Sequence, residues 1–289
     1  MSLNVHTTLT KTEIHASNAS LWIGLAGFLS LGAGNVLAAG DPTSQPGRLS
    51  WSMQCAGPIL IAVAIALHLG HLGYRIGKPA VTLFIVGSSL LGLCTAHLVI
   101  SPDLWAEKTW SNIAQGLWAV GLLFLSAALA SVAVHKERQI EHRIAQVRDI
   151  GDTDMSNVSV HASFLTLITG SVGFLLYAVG YVQLIEVAGG TRWSWMLQVI
   201  GCMLLAVAII NHLEHLVRHI GLGAVIFGVL GAVILSISSI PFVVDPENYN
   251  SSPYWAQFFW NVWGVGATCA AISILFIIMR KRTLAHAED

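Results

Sequence analysis

Long apolar runs alternate with short polar connectors along this chain. Runs with almost no charge lie at about 21–40, 52–77, 80–100, 111–134, 162–187, 195–219, 221–243 and 256–280. Each is close to the roughly 20 residues that an α-helix needs to cross the hydrocarbon core. The pattern predicts eight transmembrane helices. They take up most of the chain and leave no room for a separate soluble domain.

The pattern also repeats. His68-Leu69-Gly70-His71-Leu72 recurs 144 residues later as His212-Leu213-Glu214-His215-Leu216. At the same offset Arg48, Ser50, Trp51 and Gln54 match Arg192, Ser194, Trp195 and Gln198, Gly57 matches Gly201, and Gly87 matches Gly231. After one extra residue, Trp110, Trp118 and Gly121 match Trp255, Trp263 and Gly266. Self-similarity at a fixed offset is the signature of repeat architecture. The sequence therefore reads as an all-α integral membrane protein of two tandem four-helix repeats, 1–134 and 161–289, joined by a linker at 135–160. An even number of spans per half makes the repeats parallel, related by an axis along the membrane normal. The second and sixth spans, which carry the doubled histidines, are expected to approach that axis.

Composition agrees with the membrane reading. Hydrophobic residues make up 55% of the 289 and charged residues 10%, against roughly 25% charged in soluble domains. Net charge is −1, and no basic tract suggests nucleic acid. Residues 1–20 are polar and lead into a full span, unlike a cleavable signal peptide. Cys55, Cys94, Cys202 and Cys269 fall inside spans without a CxxC pair, as small buried hydrophobes do.

Lys and Arg set the orientation. The linker carries Lys136, Arg138, Arg143 and Arg148, and the tail carries Arg280, Lys281 and Arg282. A multi-pass cell membrane protein with linker and both termini cytoplasmic is expected. Ile140, Ile144 and Val147 predict that the fourth span continues as an amphipathic helix, followed by a hinge at 149–160. Of the Asn-x-Ser patterns, only that at Asn250 would face outside. Trp51, Trp105, Trp110, Trp193, Trp195, Tyr249, Tyr254 and Trp255 lie at span ends, where aromatic rings read as interfacial anchors. Gln54 and Gln198 read as polar groups placed cheaply at the outer interface.

Histidines inside apolar helices are costly and invite a functional reading. His68 and His71, like His212 and His215, are spaced to share a helix face. All four are expected at matched depth in the cytoplasmic half of the bilayer. Across a twofold axis they would surround one point, and imidazole suits Fe, Cu or Zn. Heme b is the other candidate cofactor, with one histidine from each half. Glu214 is expected to pair with Arg218 at i, i+4. His219 sits at a helix end, and His97 is expected to be a hydrogen-bonded interior histidine, a separate ligand or a proton-path residue. No phosphate loop, dinucleotide fingerprint, zinc-protease or hydrolase motif is present.

Three functions remain open at this level. One is a metal- or heme-binding redox subunit with a four-histidine centre between the second and sixth spans, embedded in the bilayer beside other membrane subunits. Another is a structural accessory subunit without such a cofactor that binds lipid or pigment. The third is a proton or metal-ion transporter.

Overall fold

A computed structural model describes residues 14, 16–40, 46–150, 160, 162–187, 190–247 and 253–286. Most of these are helical, with no strand among the described residues. The helices are α1 (Asn18–Ala38), α2 (Arg48–Ala66), α3 (Leu69–Leu72), α4 (Lys78–Leu93), α5 (Ala96–Ile100), α6 (Lys108–Ile150), α7 (Phe164–Glu186), α8 (Arg192–Ile210), α9 (Leu213–Ile220), α10 (Leu222–Ser238), α11 (Ile240–Val244) and α12 (Pro253–His286). A π-turn over Gly73–Gly77 and a 3-10 turn over Pro102–Ala106 complete the path. Eight segments are long and apolar enough to cross a membrane. The expected continuation of the fourth span is present, since α6 runs unbroken to Ile150. Most of the expected hinge lies outside the described residues.

The helix starts follow side-chain chemistry. Ser17 accepts from the Ser20 N–H at 3.1 Å, and Ser163 from the Thr166 N–H at 3.1 Å. Thr191 and Ser194 form a reciprocal capping box at the start of α8. These caps take up backbone donors that a first helical turn leaves unpaired.

The spans pack in a closed cycle. Each lies against its neighbours in chain order, α1–α2–α4–α6–α7–α8–α10–α12, and α12 returns to α1. Lipid tails are as apolar as leucine, so close backbone approach has to hold such helices together. The chain supplies it with facing glycines. A Cβ on Gly27 would stand 2.8 Å from the Gly57 carbonyl oxygen, and one on Gly173 would stand 2.8 Å from that of Gly201. The α6–α7 contact uses hydroxyls instead: Ser126 donates to the Ser171 carbonyl at 2.8 Å, and Ser171 to that of Ser126 at 3.0 Å. The cycle is also tied at its linker end, where Lys136 Nζ donates to the Ala162 carbonyl and Lys281 Nζ to that of Ala16.

Three sequence expectations change. The second span ends at Ala66 rather than 77, and the sixth at Ile210 rather than 219. In each the chain turns at the first histidine, His68 or His212, and then forms the short helix α3 or α9. The polar cluster explains the break, because two or three imidazoles and an arginine are cheaper at a helix end than within a span. Gly77 and Gly221, both at φ +91°, then reverse the chain into α4 and α10; that left-handed region is accessible to glycine at little cost. Secondly, α2 packs on α1 and α4, and α8 on α7 and α10, so the second and sixth spans are wall helices rather than inner neighbours. Thirdly, Trp51 and Trp195 are not interfacial: both are 1% exposed and point into the bundle. Gln54 and Gln198 are likewise buried. Trp193 and Tyr254 are exposed, as anchors should be; Tyr249 lies outside the described residues.

Candidate functional site

The histidines group within each half of the chain. The rings of His68 and His71 are 5.0 Å apart, and those of His212 and His215 are 4.7 Å apart. His219 extends the second group, with its ring 4.2 Å from that of His215. All five are half-buried at the linker end. The two groups sit on corners of wall helices that do not pack on each other. Among the described residues, no three His, Cys, Asp or Glu side chains are disposed to hold a metal ion. The arrangement thus brings each pair together but does not gather His68, His71, His212 and His215 into a single four-nitrogen centre. Glu214 and Arg218 form the expected ion pair on the outer face of α9. His97 is half-buried, its ring stacked on Trp110 at 5.2 Å.

The interior of the cycle holds a different constellation. At the end away from the linker, residues from seven of the eight spans enclose a chamber of about 70 Å³. Asn35 comes from the end of α1, Trp51 and Gln54 from the start of α2, and Thr95 from the break between α4 and α5. Gln115 and Trp118 come from the start of α6, Tyr181 from the end of α7, Trp195 from α8, and Trp260 and Trp263 from α12. The rings brace one another. Trp51 lies 5.2 Å from Trp105, whose 3-10 turn folds in over the chamber, and Trp118 lies 5.6 Å from Trp263. Offset and edge-to-face pairs of this kind are favoured by the ring quadrupoles. No residue lining the chamber carries a charge.

Some of its polar atoms are engaged. Asn35 Nδ2 donates to the Leu31 carbonyl at 2.7 Å, Gln54 Nε2 to Ser50 Oγ at 3.1 Å, and Trp263 Nε1 to Tyr177 Oη at 3.2 Å. Others are buried without a protein partner: Trp51 Nε1, Trp118 Nε1 and Gln115 Oε1. Leaving such a group unsatisfied costs about 1–3 kcal/mol.

A second chamber, of about 430 Å³, lies on the linker side of the first. The two share Leu31 and Trp263 as a common wall. Its lining is almost wholly apolar, including Phe28, Phe174, Leu205 and Leu235, and it ends at His212. A polar recess that shares His212 is lined also by Ser163, Asn211, Glu214, His215 and Arg218.

Comparison with family models, curated proteins and solved structures finds no match. The chemistry of the interior therefore carries the functional reading.

Sequence reasoning missed this chamber because it placed tryptophans at span ends in the headgroup layer. The usable signal was the doubling itself. Trp51 with Gln54 recurs as Trp195 with Gln198, and Trp118 recurs as Trp263. Anchor rings need only a depth, whereas a Trp and a Gln kept three residues apart in both halves share one helix face.

Proposed function

We propose that this is a multi-pass membrane protein of two parallel tandem four-helix repeats, 1–134 and 161–289, closed into one ring that holds a neutral amphipathic molecule, a lipid or pigment, in its interior. The observation that carries this reading is the uncharged aromatic chamber with unpartnered indole N–H groups, flanked across Leu31 and Trp263 by an apolar chamber of about 430 Å³. Ligand sites of this kind are concave, mostly apolar and supplied with a few placed polar groups. Matched details support the two-repeat reading. Gly77 and Gly221 share φ +91°. Lys136 and Lys281 each donate to the carbonyl just before a serine N-cap. The α6–α7 contact then corresponds to the contact of α12 with α1. We place the basic linker end in the cytoplasm of the cell on the Lys/Arg rule.

The redox-subunit reading, with Fe, Cu, Zn or heme b on His68, His71, His212 and His215, draws support from the close imidazole pairs alone. One experiment separates the readings. Protein purified in mild detergent is extracted with organic solvent, and the extract is analysed by mass spectrometry alongside an absorbance spectrum and metal analysis. Near-stoichiometric recovery of one lipophile supports the interior-ligand reading. A Soret band or stoichiometric metal without such a lipophile refutes it and favours the histidine centre.

A further inference from the structure

We infer that the occupant of the aromatic chamber is a small flat ring bearing carbonyl oxygens and carrying an apolar tail, the chemistry of the quinone class. This rests on the reading that the interior holds a ligand, and narrows it by what each chamber can recognise.

The first constraint is charge. None of the chamber's lining residues is ionisable as acid or base near neutral pH, and burying an isolated charge without a partner is prohibitive. The head is therefore neutral. The second is hydrogen-bond sense. Indole N–H is a donor only, and Trp51 Nε1 and Trp118 Nε1 are both buried without a protein acceptor. Trp51 is 1% exposed, so bulk water does not serve it. The head must bring acceptors, and a pair of ring carbonyls does so. Gln115 Oε1, the unpartnered acceptor in the same lining, suits a ring hydroxyl, the group a quinone bears when reduced. A quaternary ammonium would enjoy the aromatic faces but would leave both indole donors unmet.

The third constraint is shape. At roughly 10–15 Å³ per water-sized occupant, a chamber of about 70 Å³ takes about five to seven such units, the scale of one six-membered ring. Its walls are aromatic planes from α2, α6 and α12, which favour a flat head. Beyond Leu31 and Trp263 the apolar chamber offers about 430 Å³ and almost no polar surface. That space matches a hydrocarbon tail of isoprenoid or alkyl type. A free aromatic head alone would leave it unused.

The test uses the full chain in lipid nanodiscs and two probes of equal tail, a decyl-substituted benzoquinone and decylbenzene, titrated calorimetrically. The quinone should bind at least tenfold more tightly than decylbenzene. Trp51→Phe and Trp118→Phe keep a ring and remove one donor. Each should weaken the quinone roughly two- to tenfold, the range for one hydrogen bond, and leave decylbenzene unchanged. Thermal unfolding checks each variant, and Gln115→Leu stands in should either fail to fold. It should weaken the reduced probe, decyl-hydroquinone, more than the quinone. Equal affinity for quinone and decylbenzene, or quinone affinity unmoved by the donor-removing variants, overturns the assignment while leaving an occupied interior in place. Binding of neither probe overturns the occupied interior itself, and this assignment with it.

Discussion

Replacing Gly57 by alanine places a methyl group 2.8 Å from the Gly27 carbonyl oxygen and 2.8 Å from Leu31 Cβ. Ordinary contact begins at 3.4 Å, so α1 and α2 must part by about 0.6 Å. The obstructing atoms are backbone and Cβ, which no rotamer change can move aside. Overpacking of this kind costs about 1–3 kcal/mol. Alanine recovers up to about 1 kcal/mol of helix propensity relative to glycine, which leaves a net loss of up to about 2 kcal/mol. Gly201→Ala should cost a similar amount, because its Cβ would stand 2.6 Å from the Gly173 carbonyl oxygen at the α7–α8 contact. Gly70→Ala is the control: nothing lies within 4 Å of its Cβ position, so it should be neutral or stabilising. The assay is reversible unfolding in mixed micelles as the denaturing detergent fraction rises, followed by circular dichroism. Should Gly57→Ala unfold at or above the wild-type midpoint, backbone contact does not limit this interface and the packing account fails.

Lys136→Ala and Lys281→Ala should each lower the unfolding free energy by about 1 kcal/mol, the worth of one lost hydrogen bond to a helix-end carbonyl, and a null effect in both would discount the linker-end ties. A double His68→Ala, His212→Ala variant should keep the wild-type absorbance spectrum and metal content; loss of a Soret band or of bound metal would restore the four-histidine centre. A single cysteine at Glu137 in a background lacking the native cysteines should react with an impermeant reagent only from the cytoplasmic side, and one at Tyr254 only from outside. Reversed labelling would invert the orientation.

Much of this architecture was legible along the chain. Eight charge-poor runs became eight candidate spans because nothing but a helix satisfies its own backbone in lipid. The continuation of α6 beyond the fourth span followed from Ile140, Ile144 and Val147, and the Glu214–Arg218 pair followed from spacing alone. The span ends were harder to read. Apolar residues continue through Leu69 and Leu72 and through Leu213 and Leu216, so hydropathy carried the second and sixth spans past the turns at His68 and His212. The direction of the tryptophans was also hidden. A ring at a span end can face headgroups or the bundle, and only the closed order of helices turns Trp51 and Trp195 inward while leaving Trp193 outside. For the same reason the histidine pairs looked convergent: two helices with matching polar strings suggest neighbours, whereas α2 and α8 occupy separate parts of the wall.

Closure of the cycle also bears on connectivity. The contact of α12 with α1 is as intimate as that of α6 with α7, yet only the latter is bridged by the linker. The carbonyl of Ala16 is held by Lys281 as that of Ala162 is held by Lys136. The circle therefore has no privileged starting point. A chain cut within 151–159, with a short peptide joining its old ends, would present the same eight contacts in a rotated order. Such a circular permutant should assemble the same interior, as should two separately expressed fragments divided at that point, because shape rather than covalent order defines the enclosure.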